Sequence, residues 1–138
     1  MKNKITITLV VLILFAVTVS AQQAKSSIIG TWKLISQSHD GKKIPLGDVT
    51  KLKFISKKYF TWVSFPNSNK IIRHSVGGGT YTFDGKICTE NFEYGGVGAT
   101  QYLGKKYVHN VEIKGNKLHQ WGKNTSNVYI DEVWIREE

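Results

Sequence analysis

The stretch Gly77-Gly78-Gly79-Thr80-Tyr81-Thr82-Phe83-Asp84-Gly85-Lys86, continuing Ile87-Cys88-Thr89-Glu90-Asn91-Phe92-Glu93-Tyr94, leaves this chain few ways to fold. Aromatic and polar residues alternate on both sides of Asp84-Gly85, a pair suited to a two-residue hairpin in which both central positions take positive φ. Because strand side chains alternate between faces, Tyr81 and Phe83 share one face of the first strand. Cys88, Glu90, Phe92 and Tyr94 share one face of the second. That second row is largely apolar, yet it holds a carboxylate. Three consecutive glycines inside a strand are unfavourable in backbone entropy. They fit where a strand bends sharply or where another backbone comes close, as at a barrel corner. A phosphate cradle is the competing use, but no helical pattern follows to aim an N-terminus at an anion.

The same alternation recurs along the chain. Residues 30–38 present Trp32 and Leu34 to one side, residues 51–55 present Leu52 and Phe54, and residues 59–65 present Phe60 and Trp62. Residues 71–76 lead into the glycines. Residues 106–114 align Tyr107, His109, Val111 and Ile113, and residues 128–136 align Val128, Ile130, Glu132, Trp134 and Arg136. The phase of residues 117–123 stays open between Leu118 with Gln120 and His119 with Trp121. Turn residues separate these runs at positions 39–42, 66–70, 115–116 and 124–127. Residues 44–48 form a loop with room for one helical turn, residues 95–99 a flexible link, and Leu103-Gly104-Lys105 punctuates the chain again.

No segment sustains a helical period. About eight short strands joined by turns predict an all-β fold, a single antiparallel up-and-down barrel whose closure removes its edges. A membrane barrel is the alternative closure. Alternation sets Lys33, Lys51, Lys53, Lys106, Glu112 and Lys114 outward, where lipid would demand apolar groups.

The first 21 residues read as a cleaved signal peptide rather than as part of the fold. Lys2 and Lys4 precede an apolar run broken only by Thr6, Thr8 and Thr18, and Val19-Ser20-Ala21 offers small residues for cleavage. The run is short for a membrane span of about 20 residues and lacks a basic flank. The expected organisation is a signal peptide at 1–21, a flexible lead-in at 22–28 and one barrel domain at 29–138, exported to the periplasm or beyond. The chain carries a formal net charge of +9 at pH 7. Its lysines are scattered, which suits a solvated face that keeps strands unpaired. Export argues against nucleic acid as a partner, while anionic glycans or membrane surfaces fit the charge. Cys88 is the sole cysteine, so no internal disulfide framework is expected, and its row suits a buried small hydrophobe better than a nucleophile.

With those residues in view, the chain resembles the lipocalin and fatty-acid-binding-protein superfamily. Gly30-x-Trp32 on the first strand and Arg136 late in the last carry the likeness. It is more closely similar to small exported lipocalin-like domains of bacteria, a family without an established function. The segments that carry this likeness are Gly30-Thr31-Trp32-Lys33-Leu34, Tyr59-Phe60-Thr61-Trp62-Val63, Gly78 to Gly85, Thr89 to Tyr94 and Glu132-Val133-Trp134. The resemblance implies a calycin-type barrel in which Trp32 closes one end with Arg136 packed against it. It brings no established catalytic residues to carry over, and no cofactor is expected.

A barrel of this size is filled by side chains or holds one small ligand. The inward rows are Trp32, Leu34, Leu52, Phe54, Phe60, Trp62, Tyr81, Phe83, Cys88, Phe92, Tyr94, Tyr107, Val111, Ile130 and Trp134. Such aromatic walls suit a pocket or a plain core equally. Glu90, His109, Glu132 and Gln120 fall on the same rows, and a buried carboxylate needs a partner. Glu90 or Glu132 pairing with Arg136 or His109 is one use; orienting a ligand hydroxyl or amine is a second; acid–base chemistry by Glu90 with His109 is a third. The four histidines show no metal-ligand spacing, and no nucleophile elbow or phosphate loop is present. The expected ligand-binding residues are Trp62, Tyr81, Phe83, Glu90, Phe92, Tyr94, Tyr107, His109 and Glu132, around a small hydrophobic or amphipathic molecule. A filled barrel that recruits a protein partner through residues 66–70 and 95–104 is the alternative.

Overall fold

The structure, a computed structural model, describes residues 27–68 and 74–137. The stretch read above as a signal peptide, most of the lead-in, and residues 69–73 lie outside the described residues. Nine strands follow in order: β1 (Gly30–His39), β2 (Lys42–Lys43), β3 (Val49–Ile55), β4 (Tyr59–Pro66), β5 (Ser75–Phe83), β6 (Ile87–Gly95), β7 (Lys106–Lys114), β8 (Lys117–Lys123) and β9 (Tyr129–Arg136). All pairings are antiparallel between sequence neighbours, except that β1 pairs with both β3 and β9 and so closes eight strands into a barrel. β2 is a two-residue flap on the far end of β1. No helix among the described residues is long and apolar enough to cross a membrane.

The turns follow backbone chemistry, with one exchange of roles. Asp40 and Gly41 both take positive φ, at 48° and 75°, as a hairpin turn between oppositely running strands requires. At the central hairpin positive φ falls on Gly85 alone, at 98°; four residues lie between the last paired residues Phe83 and Cys88, and the Asp84 amide donates to the Ile87 carbonyl at 3.2 Å across Gly85 and Lys86. Asp84 acts instead through its side chain, whose Oδ1 accepts from the Lys86 and Ile87 amides at 2.8 and 2.6 Å. Residues 44–48 contain no helical turn; a 3-10 turn stands instead at Thr100–Tyr102, just after the flexible link at residues 95–99.

One end of the barrel is closed by the first and last strands. Trp32 is fully buried and its Nε1 donates to the Ile28 carbonyl at 2.8 Å. The Arg136 guanidinium lies 4.1 Å from the Trp32 ring centre and donates to the Ile29 carbonyl at 2.8 Å and to that of Ser27. Gly30 sits beneath it with φ at 148°, and a Cβ there would meet the guanidinium at 2.3 Å. Trp134, Phe60 and Leu118 complete the buried layer, with Ile55, Cys88 and Val111. Truncating a core indole such as Trp32 to alanine is expected to cost about 3–5 kcal/mol.

Two bulges re-aim side chains. In β1 the pairing with β9 slips between Leu34 and Ser36, so Ile35 is the extra residue. In β6 it slips between the partners of Gly78 and Gly79: Gly78 faces Tyr94 and Gly79 faces Phe92, with Glu93 inserted. An inserted residue reverses the alternation beyond it. Tyr94 therefore points outward, 41% exposed, and lies across Gly78 with its hydroxyl 2.6 Å from Thr61 Oγ1 and 3.1 Å from the Phe60 carbonyl. The inward place expected for Tyr94 is thus overturned. The glycine run has a use at each position: Gly77 abuts Trp62 and Ala99, Gly78 lies under Tyr94, and Gly79 meets the bulged β6 backbone.

The phase of β3 is the other correction. Leu52 and Phe54, expected inward, face outward, with Phe54 41% exposed. Lys51, Lys53 and Ile55 face the interior instead. Register decides this, because Lys53 pairs with the inward Trp62 of β4, and exposed apolar residues are tolerated on an outer face. The argument against a lipid-facing wall loses Lys51 and Lys53 and keeps Lys33, Lys106, Glu112 and Lys114.

Candidate functional site

Midway up the barrel, above the Trp32 layer, five buried polar side chains converge from five strands: Lys53, Glu90, His109, Gln120 and Glu132. β8 takes the phase with Leu118 and Gln120 inside, since Gln120 pairs with Glu132 of β9. Lys53 Nζ donates to Glu90 Oε1 at 2.8 Å and to Gln120 Oε1 at 2.9 Å. Gln120 Nε2 donates to Glu132 Oε2 at 2.7 Å, an oxygen that also accepts from Trp134 Nε1 at 3.2 Å. His109 Nε2 lies 3.5 Å from the second oxygen of Glu90, while its Nδ1 is buried without a partner. Lys51 reaches Glu132 Oε1 at 3.6 Å.

Burying a charge is costly unless it is paired and hydrogen-bonded, and this belt meets that condition. Burial would raise the Glu90 carboxyl, but the Lys53 ammonium and then His109 outweigh it and hold it down to about 2. Burial likewise opposes ionisation of Glu132, and Lys51 and Lys53 overcome it, leaving that carboxyl below its ordinary value. Lys53 would be lowered by burial, but Glu90 and Glu132 raise it above the ordinary lysine value. The belt is therefore two carboxylates against two ammonium groups.

Above the belt lies a cavity of about 200 Å³, lined by Trp62, Phe92, Tyr102 and Tyr107 on one side and by Trp134 with the belt below. The rings meet edge to face: Phe92 with Tyr107 at 5.2 Å and Tyr102 with Tyr107 at 5.8 Å between centres. Tyr102 comes from the 3-10 turn and meets Trp62 edge to face, 6.4 Å between ring centres. Gln37, His39, Asn124 and Ile130 rim it, marking the mouth at the end opposite Trp32. The Ile35 bulge is what turns Gln37 and His39 towards it.

Of the nine expected ligand residues, Trp62, Glu90, Phe92, Tyr107, His109 and Glu132 come together around this cavity. Tyr81 and Phe83 do not. They are half-buried near the closed end, beside Ser27, Ile28 and Lys57, where the Tyr81 hydroxyl donates to the Ser56 carbonyl at 2.7 Å. Tyr94 is outside the barrel. Arg136 serves Trp32 and pairs with neither glutamate. Sequence reading missed Lys51, Lys53, Tyr102, Gln37 and Asn124. The signal for the lysines was present, since two inward carboxylates require two cations. Tyr102 left no signal, because it sits in a short irregular link.

An eight-stranded antiparallel barrel with one sealed end and an aromatic-walled interior is the architecture of small-molecule-binding calycins. The family model described as a lipocalin-like domain matches residues 28–130, and the chain belongs to that family. No curated protein matches the chain. Among the described residues no group of histidine, cysteine, aspartate or glutamate is placed to hold a metal ion.

Proposed function

We propose that this protein binds a small, partly apolar molecule in the barrel interior, as an exported carrier or sensor. One observation carries the reading: a cavity of about 200 Å³ stands between aromatic walls and an ionic floor. Ligand sites combine apolar walls with a few placed polar groups in this way. Trp62, Phe92, Tyr102 and Tyr107 supply the contact surface, and Lys51, His109 and Glu132 supply polarity. Glu90 is committed to Lys53, which makes it a support for the floor. Export rests on the basic start, the apolar run and the Val19-Ser20-Ala21 site of the sequence. Native mass spectrometry of the protein recovered from cell envelopes tests both parts. A chain beginning at Gln22 and carrying a stoichiometric compound that is released on denaturation is the expected result. An uncleaved chain contradicts export. An apo mass, together with failure to bind any one-ring compound at millimolar concentration, contradicts the carrier reading.

A second reading has an observation of its own. Phe54 and Tyr94 are exposed on the outer face, linked across the sheet through Thr61 and Gly78. A protein partner docking on this wall, or on residues 66–70 and 95–104, is the form an interaction module would take here.

A further inference from the structure

We propose that Lys51 is the cation that selects this protein's ligand, and that the ligand is a small acid with one ring, its carboxylate on Lys51 Nζ and its ring against Trp62. The proposal rests on the interior-binding reading above and assigns its ligand class. Three observations lead to it.

The first is which cation is free to act. Lys53 spends donors on Glu90 at 2.8 Å and Gln120 at 2.9 Å and lies 5.0 Å from the Trp134 ring centre. Among the described residues Lys51 has one polar partner, the 3.6 Å ion pair with Glu132, too long for a good hydrogen bond. Its side chain is 28% exposed, and its ammonium hangs 5.2 Å from the Trp62 ring centre and 5.6 Å from that of Trp134. An ammonium brings three donors; a carboxylate arriving in the cavity would use them in charge-assisted bonds.

The second is that Glu132, although it would give up its nearest ammonium, keeps other partners if Lys51 turns to a ligand, among them the charge of Lys53. Glu132 keeps its bonds from Gln120 and Trp134 at 2.7 and 3.2 Å. A second hollow of about 230 Å³, lined by Leu34, Leu46 and Val49 and sharing Lys51, Trp62 and Gln37 with the first, gives the lysine room to swing.

The third is size. An apolar cavity of about 150 Å³ accepts benzene. The ring compartment here, about 200 Å³, accommodates one ring with a short arm.

The test is calorimetric titration of the purified protein with phenylacetate, 2-phenylethanol and phenethylamine, a series alike in shape and different in charge. The expected order is acid, alcohol, amine, with the acid at least about tenfold tighter than the alcohol. Lys51→Met should remove the acid's advantage over the alcohol, and Lys51→Arg should retain a preference for the acid. An unfolding midpoint measured for each variant confirms that the barrel is intact. Equal or tighter binding of the alcohol or amine, or an acid preference that survives in Lys51→Met, overturns the assignment while leaving interior binding in place. No heat from any of the three, with no shift in the tryptophan signals on adding them, overturns both.

Discussion

Lys53 Nζ lies 2.8 Å from Glu90 Oε1, with the two residues 3% and 4% exposed. Neither charge has water to fall back on, so each is stable inside the barrel only because of the other. The pair, extended through Gln120 to Glu132, separates the apolar closed end from the cavity and fixes the floor on which a ligand would rest.

Removing one partner is expected to be far worse than removing both. Lys53→Met leaves Glu90 buried with only the longer His109 contact at 3.5 Å and should cost about 3–5 kcal/mol. The double variant Lys53→Met with Glu90→Leu should recover most of that loss, because a well-packed apolar pair of similar volume is often neutral. Urea unfolding of the four proteins in a double-mutant cycle measures this. Additive losses would show that the pair is not coupled.

The belt also sets the response to acid. The folded Glu90 carboxyl is held down to about 2, below its ordinary 4.5. Its contribution is therefore complete above about 4.5 and is lost as pH falls towards 2, where the unfolded chain binds more protons than the folded one. Glu132, also lowered, adds in the same direction. Lys53 is raised, so its contribution is complete below 10.5 and is lost only as pH rises through its higher folded value. Unfolding free energy measured between about pH 2 and pH 5 should fall steeply on acidification. In Glu90→Gln, from a lower starting stability, the slope should be visibly shallower. An unchanged slope would mean that other carboxyls govern acid unfolding.

The three central glycines should differ in their tolerance of alanine. A Cβ at Gly79 would stand 1.9 Å from the Asn91 carbonyl oxygen, and one at Gly78 2.3 Å from that of Phe60, whereas Gly77 offers 3.2 Å contacts with side chains. Gly79→Ala and Gly78→Ala should each lose about 3 kcal/mol or more, since backbone must move, and Gly77→Ala distinctly less. Equal effects at the three positions would contradict the bulge as the reason for the run.

Cys88 should be inert in the folded protein. Burial, and then the charge of Glu90, push its thiol up to about 12, with Lys53 only partly opposing. The nucleophile is the thiolate, so iodoacetamide at about pH 8 should leave the native protein unmodified and label it fully in strong denaturant. Rapid labelling of the native protein would contradict the packing around β6.

How much of this was legible in the sequence follows from which signals are local. Turn residues and period-two alternation are local, and they gave the strand count, the antiparallel order and the inward rows of β7 and β9. Alternation also carries each row only as far as the next bulge, which is why Tyr94 was assigned to the wrong face: nothing local marks Glu93 as inserted. The phase of β3 failed for a different reason. Leu52 and Phe54 are more apolar than Lys51 and Lys53, and apolar-inward is a sound default. The default lost to a demand set elsewhere in the chain, the need of Glu90 and Glu132 for cations. The cavity mouth was illegible because Tyr102, Gln37 and Asn124 reach it from a short turn, a bulged strand and a loop.

The central claim is that the interior, and not the outer wall, receives the ligand. Its most direct test is an NMR titration of the isotopically labelled protein with one-ring compounds, neutral and charged. The account predicts saturable shift changes in the Trp62 and Trp134 indole signals and in the backbone around Lys51, Lys53, Phe92, Tyr107 and His109, with Phe54 and Tyr94 unmoved. Changes confined to the outer strands around Phe54 and Tyr94, with the interior signals still, would contradict it.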